Sequence, residues 1–218
     1  MPPRRSTSSP ADSSPVRNRL LRAATTLFAK SGYDGTTVDE VVAAARVNKR
    51  MVYHYFGDKQ RLYQAVLAEA YRSLEVVETA VTSHESRLET LTEQIVRRYF
   101  DFLREHPKFV RLLLWENLNE GRALRRFGFK LTKDPMLGAL ERFLQEGVAA
   151  GRIRADMDAR HLLISLIGLC QIYSSNRYTL SQALGLDLAV DAVREQGIRH
   201  VTRLLLEGIT AAGARRSR

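Results

Sequence analysis

From Val16 onward the apolar positions recur every three or four residues, and the alternating Val/Ile/Thr pattern of a half-buried strand is missing. The pattern predicts an all-α protein. Val16, Leu20, Ala23, Ala24, Leu27 and Phe28 fall on one face of a first helix. Ser14 is placed to cap it, Pro15 stands where no N–H is needed, and Gly32 supplies the stop. After a turn at Tyr33 to Gly35, Thr37 and Glu40 have the S/T-x-x-E spacing of a capping box, and Val38, Val41 and Val42 give the second helix its inward face, ending near Ala45. A turn of Arg46, Val47 and Asn48 follows, with Asn48 able to cap a third helix that Gly57 ends, and Asp58 able to cap a fourth.

The fourth helix keeps an apolar stripe through Leu62, Val66, Ala70, Leu74 and Val77, long enough to leave one domain and enter another. Beyond a polar break, the periodicity predicts helices over 87–104, 108–119, 121–130, 135–150, 158–179 and 187–211, separated by Pro107, Gly121, the Lys-Asp-Pro at 133–135 and two polar, glycine-containing stretches. No tandem repeat of fixed period occurs. The expected organisation is a Ser/Pro-rich, basic and disordered tail over 1–14, a three-helix domain over 15–60, a larger helical domain over 61–212 and a basic tail over 213–218.

The third helix, in the string VNKRMVYHYF from Val47 to Phe56, is short and carries more polar and phenolic surface than a buried element needs. Val47, Met51, Val52 and Phe56 can lock it to its neighbours. Asn48, Lys49 and Arg50 are then left at its positive end, where they are either a solvated helix start or contacts to nucleic-acid phosphates and guanine edges. Tyr53 and Tyr55 can be half-buried packing or phosphate contacts, and His54 a surface histidine or a contact. Lys59 opens the fourth helix, where a cation opposes the helix dipole, so an external anion accounts for it better than the helix does; a solvated lysine is the alternative. Two short helices joined by a tight turn, the second one basic, have the form of a helix-turn-helix that seats its second helix in the major groove of double-stranded DNA. A formal net charge of +10 agrees with a polyanionic partner.

The stretch Gly32 to Leu67, GYDGTTVDEVVAAARVNKRMVYHYFGDKQRLYQAVL, resembles the N-terminal domain of the TetR family of bacterial transcriptional repressors. The resemblance rests on the paired Thr36 and Thr37, on VNKRMVYHYFGDK from Val47 to Lys59, and on Leu62; it covers about a sixth of the chain. It implies a homodimer that binds a near-palindromic operator, with DNA contacts at Thr37, Asn48, Lys49, Arg50, Tyr53, His54 and Lys59. It further implies a helical C-terminal domain that binds a small-molecule effector and, through the fourth helix, changes the separation of the two reading heads. One departure is Arg46, where the family usually has glycine. If that position needs φ > 0, arginine is strained there, unless the turn differs or its charge is recruited to phosphate.

The C-terminal half is less explicit. Within 158–179 the run from His161 to Tyr178 is apolar nearly all round, more than one buried face requires, and VTRLLLEGI from Val201 to Ile209 adds a second apolar strip within 187–211; this fits a four-helix seam between two copies, with burial inside one copy's own core as the alternative. Tyr99, Phe102, Phe109, Leu113, Trp115, Phe127, Phe129 and Tyr173 are candidates to line an effector cavity, with Glu116 and Asn117 as its polar groups, although aromatics at this spacing also build ordinary core. The single cysteine, Cys170, lies in an apolar run and reads as a small buried hydrophobe in a protein of the reducing cytoplasm. No run approaches the roughly 18 uninterrupted apolar residues of a membrane span, and no apolar stretch of a secretory signal follows the first arginines. His54, His84, His106, His161 and His200 are dispersed, and no H-E-x-x-H, C-x-x-C, glycine-rich phosphate loop or G-x-S-x-G occurs. Neither a metal nor a cofactor is expected. A DNA-binding architectural protein without effector, and an all-α enzyme assembled from distant residues, are the rival readings.

Overall fold

The computed structural model describes residues 14–79, 87–126 and 134–211. Among them are eleven helices and no strand: α1 (Pro15–Ser31), α2 (Val38–Ala45), α3 (Arg50–Phe56), α4 (Lys59–Thr79), α5 (Leu88–Glu105), α6 (Pro107–Leu118), α7 (Arg122–Arg126), α8 (Asp134–Ala149), α9 (Ala159–Ser175), α10 (Arg177–Leu184) and α11 (Asp191–Ile209). The all-α architecture follows the apolar period. The two basic tails and the candidates Phe127 and Phe129 lie outside the described residues.

Two compact units share the chain: Met1–Tyr71 with Arg111–Phe129, and Arg72–Val110 with Lys130–Arg218. The boundary expected near residue 60 is therefore displaced to 71/72, and α4 runs through it unbroken. The sequence holds no breaker there because the same apolar stripe serves both sides. A second displacement was not legible at all: the chain returns to the first unit within α6, at 110/111.

The first unit is built on one cluster. Leu20, Ala24 and Phe28 of α1, Val41 and Ala45 of α2, Val52 and Phe56 of α3, Leu62, Tyr63, Val66 and Leu67 of α4, and Leu112 of α6 are all buried in it. Phe28 sits edge-on to Tyr63 with ring centroids 4.8 Å apart. Burial of this many large side chains in contact with one another is what holds the seven-residue α3 in place, since a helix that short is not stable by itself.

In the second unit α5 packs against α9 and α11, and α8 against α9. Val96, Phe100 and Leu103 of α5, Leu162, Leu163, Leu166 and Cys170 of α9, and Ile198, Val201 and Leu205 of α11 are buried. Tyr173 lies against Gly197, where a Cβ would come within 2.7 Å of its ring, so α9 and α11 meet too closely for any other residue. Ion pairs edge the α5–α11 contact: Arg97 Nη1 donates to Glu195 at 2.8 Å, and Arg194 donates to Asp101.

Three helix spans depart from the periodicity. The helix expected over 158–179 breaks at Asn176, which ends α9 and begins α10; Ser175 donates to its side-chain oxygen at 2.7 Å. Serine and asparagine side chains that bond locally offer the backbone an alternative to continuing the helix. Of the segment expected to be a breaker, Ser181 to Asp187, the first four residues instead complete α10, which Gly185 closes in a left-handed conformation. The last helix starts at Asp191 rather than 187, because Asp187 closes a turn, its carboxylate accepting from Ala189 N–H at 2.9 Å and its carbonyl from Val190 N–H at 3.2 Å. Pro107, read as a separator, is the first residue of α6, where its ring is compatible with helix and its missing N–H costs nothing.

Candidate nucleic-acid interface

The helix-turn-helix is assembled by three local caps. Thr37 and Glu40 form the capping box: Thr37 Oγ1 accepts from Glu40 N–H at 3.2 Å, while Glu40 Oε2 accepts from Thr37 N–H at 2.7 Å and from the Thr37 hydroxyl at 2.8 Å. The Thr37 backbone N–H is the chief cause that holds the Glu40 carboxyl below its ordinary range. Asn48 Oδ1 accepts from Arg50 N–H at 2.9 Å, and Asp58 Oδ1 from Arg61 N–H at 2.7 Å, starting α3 and α4. Between α2 and α3 stands Arg46 at φ 53° and ψ 51°, in the left-handed region. The position where arginine replaces glycine thus does require φ > 0, and an L side chain there costs roughly 1 kcal/mol.

The two faces of α3 differ sharply. Val52 is fully buried, Phe56 nearly so, and Val47 and Met51 pack against the same cluster. Asn48, Lys49, Arg50 and His54 are exposed, and Tyr53 is 52% exposed, a large value for a phenol with no solvent-facing task. These five residues form a continuous polar edge. Lys49 is not idle: its Nζ lies 2.8 Å from Asp39 Oδ1 at the start of α2, and that hydrogen bond raises the lysine's pKa. Asp39 was missed in the sequence, since no local spacing rule links residues ten apart across a turn.

Tyr55 is turned the other way. Its phenol shares a 2.8 Å hydrogen bond with the Ser14 hydroxyl, so it ties the end of α3 to the start of α1. Ser14 thereby gives its side chain to Tyr55 and makes no side-chain cap to α1, contrary to the capping role read from its position; its carbonyl accepts from Asn18 N–H at 3.1 Å. Lys59, half-buried, holds its ammonium 4.3 Å above the Tyr33 ring in a cation–π contact, and its charge helps keep the Glu40 carboxyl of the capping box low.

The effector candidates are divided between the two units. Tyr99, Phe102 and Phe109 are buried in the second, with Phe102 and Phe109 edge to face at 5.2 Å, and Tyr173 is half-buried there against Phe100. Leu113, Trp115, Glu116 and Asn117 belong to the first. Trp115 covers Gly32 so closely that a Cβ on the glycine would lie 2.9 Å from the indole. Both oxygens of buried Glu116 are engaged, Oε1 accepting from the Tyr63 hydroxyl at 2.6 Å and Oε2 from Leu124 N–H at 3.3 Å. Asn117 is exposed and donates to the Leu113 carbonyl within its own helix at 2.8 Å. Burial first, and then the bond to Glu116, pushes the Tyr63 phenol well above its ordinary range; burial and the same carboxylate push Tyr71 up to about 12.

Cys170 is buried, and burial pushes its thiol up to about 12, which leaves it the inert small hydrophobe its apolar setting suggested. Among the described residues no three His, Cys, Asp or Glu side chains converge as metal ligands, and no helix is long and apolar enough to cross a membrane.

Comparison with known proteins agrees with this geometry. Residues 20–66 match the model of bacterial regulatory proteins of the tetR family, and residues 89–205 match that of the tetracyclin repressor-like C-terminal domain. The chain is 31% identical over 195 residues to the HTH-type transcriptional repressor NicS of Pseudomonas putida, covering 89% of this chain and 92% of that one. It is 26% identical over 199 residues to the HTH-type transcriptional regulator RutR of Escherichia coli, covering 88% and 90%. Among solved structures, the ketosteroid transcriptional regulator KstR2 of Mycobacterium tuberculosis superposes with a TM-score of 0.66 at 18% identity, covering 89% of this chain and 94% of that one, which shows a shared fold. The family models cover both helical units and include every residue of the exposed α3 edge, so the chain belongs to the TetR family of bacterial transcriptional regulators.

Proposed function

We propose that this regulator represses transcription by binding a near-palindromic operator in double-stranded DNA as a homodimer, and that a small-molecule effector held by the second unit releases it. The observation that carries the DNA half of this reading is the split of α3: an apolar face locked in a fully buried cluster, and an outer edge of Asn48, Lys49, Arg50, Tyr53 and His54 left exposed. A helix fixed this way presents its side chains at defined positions, which base reading requires, whereas a mobile basic segment would give charge without register. Lys49 and Arg50 suit guanine edges or phosphate, Tyr53 and Lys59 suit phosphate, and Arg46 in its strained turn adds a further cation beside them. Thr37 can add a phosphate contact only by giving up part of its capping box, since its N–H and hydroxyl both donate to Glu40 and its Oγ1 accepts from the Glu40 N–H.

The dimer half is supported by the exposed apolar side chains of the two long C-terminal helices, Ile164 and Ile172 on α9 and Leu204 on α11. Two copies related by a twofold axis would set their α3 helices about 34–36 Å apart, one turn of B-form DNA, or a multiple of it. The aromatic residues Tyr99, Phe102 and Phe109, buried in the second unit with half-buried Tyr173, favour that unit as the one to hold an apolar effector. We place the protein in the cytoplasm, where its DNA is, and assign it no catalytic turnover.

Footprinting on genomic fragments that include the protein's own promoter tests this reading. Protection of one discrete, two-fold symmetric site is expected. Uniform protection along every fragment would make the protein an architectural binder instead.

A further inference from the structure

Glu116 is the one acidic or basic residue among the buried side chains of the described residues, at 3% exposure. A carboxylate taken out of water is costly unless well bonded, and an apolar residue of the same size would stabilise such a site at least as well. Its two bonds connect three elements of the first unit: Tyr63 on α4, Glu116 itself on α6, and Leu124 on α7. What such a pair supplies beyond packing is direction, because a short bond to a charged acceptor fixes where the phenol must sit.

The rest of that α6 face is seated just as firmly. Arg111, one turn and a half earlier, donates from Nε to the Ala29 carbonyl at 2.7 Å and from Nη2 to the Lys30 carbonyl at 3.2 Å, satisfying the open end of α1. Leu112 joins the central cluster, and Trp115 closes on Gly32. From this seat two aromatic rings lead to Lys59. Tyr63, clamped at its hydroxyl, lies 5.2 Å from the Tyr33 ring, and Tyr33 carries the Lys59 ammonium at 4.3 Å. Lys59 stands one helical turn before Tyr63 on α4.

We infer that Glu116 is a positioning residue for the DNA interface: through Tyr63 and Tyr33 it sets the place of Lys59, so that the α6 segment holds a phosphate contact in register without touching DNA. The inference rests on the DNA-binding reading given above. Glu116 thus acts within the first unit, and loss of its bond to Tyr63 is expected to be felt at Lys59.

The test uses the full chain, its selected operator and a titration of salt. Tyr63→Phe and Glu116→Gln are each expected to weaken operator binding about tenfold and to lower the salt slope by about one unit, as Lys59→Gln does, and combining either with Lys59→Gln should add little. Where a lone polar partner left in the core prevents folding, the paired variant Tyr63→Phe/Glu116→Leu removes both groups together and is read in the same way. Unchanged salt slope in these variants, or a full additive loss on combination with Lys59→Gln, overturns the inference even if the fold is weakened. Failure of the wild-type chain to select any discrete site overturns the DNA-binding reading itself, and this inference with it.

Discussion

The two units of the chain spend their polar and apolar groups in opposite ways. In the first, the core closes on itself, its buried polar groups Thr36 and Glu116 are bonded, and among its described residues the large apolar side chains left exposed are Tyr53 and Leu118. In the second, seven large apolar residues are exposed among the described residues: Ile164, Ile172, Tyr178, Leu184, Leu186, Val190 and Leu204. Among the described residues, the buried side-chain atoms that lack a protein partner, Arg194 Nε and Thr202 Oγ1, are there as well. The difference teaches what each unit is for. The first closes its apolar core within one copy and leaves a polar edge outside, whereas the second carries an apolar surface whose exposure a further apolar contact would relieve.

That contrast can be broken most forcefully on α9 and α11. Ile164→Glu with Leu204→Glu changes two side chains exposed in one copy, so the monomer's own fold should survive, while a seam between copies would lose about 2 kcal/mol or more. Sedimentation should show monomers at concentrations where the parent chain is dimeric, and operator affinity should fall with it. Dimers of undiminished stability would remove these helices from the interface.

A smaller change sharpens the description of the first unit. Arg46→Gly relieves a left-handed backbone and should raise the unfolding free energy by about 1 kcal/mol in denaturant titration. The same variant should lower the salt slope of operator binding by about one unit if Arg46 meets phosphate. Stability gained with an unchanged slope would leave Arg46 outside the interface.

In the second unit, Thr202→Val replaces a buried, unbonded hydroxyl by a methyl of similar shape. Stability is expected to rise by up to about 1 kcal/mol, in contrast to the loss that follows when a bonded polar group is removed. A clear loss, seen as a lower melting temperature, would mean that the hydroxyl has a partner in solution.

The smallest effect concerns the capping box. Because the folded-state pKa of Glu40 is lowered, its contribution is present above the ordinary glutamate range and is lost as pH falls through the lower, folded value. The melting temperatures of the parent and of Glu40→Ala should therefore differ at neutral pH and converge at acid pH. A constant difference would assign the effect to packing.

What could be foreseen from the residues followed the range of the interaction. The capping box at Thr37 and Glu40, the caps at Asn48 and Asp58 and the inward side of α3 are all set within four residues, and local periodicity and side-chain chemistry suffice to place them. The break at Asn176 was local too, but a run of apolar residues before it masked a weak signal from two serines and an asparagine. The contacts of Tyr55 with Ser14, of Arg111 with the end of α1 and of Glu116 with Tyr63 join residues more than forty apart, so nothing in their spacing announces them. Trp115 and Glu116 looked like pocket residues because an aromatic beside a carboxylate in an apolar helix has the same pattern whichever unit it faces. The split of α4 and α6 between units is hidden for the same reason: an apolar stripe says which face is buried and not against what.

The most direct test is selection of bound sequences from a random DNA pool by the full chain, run beside Arg50→Ala. The exposed edge of α3 predicts a two-fold symmetric site for the parent chain, with Arg50→Ala losing about 1–3 kcal/mol of specific affinity or relaxing the preference at one base pair in each half-site. An identical site and affinity for both proteins, or a site without symmetry, would contradict it.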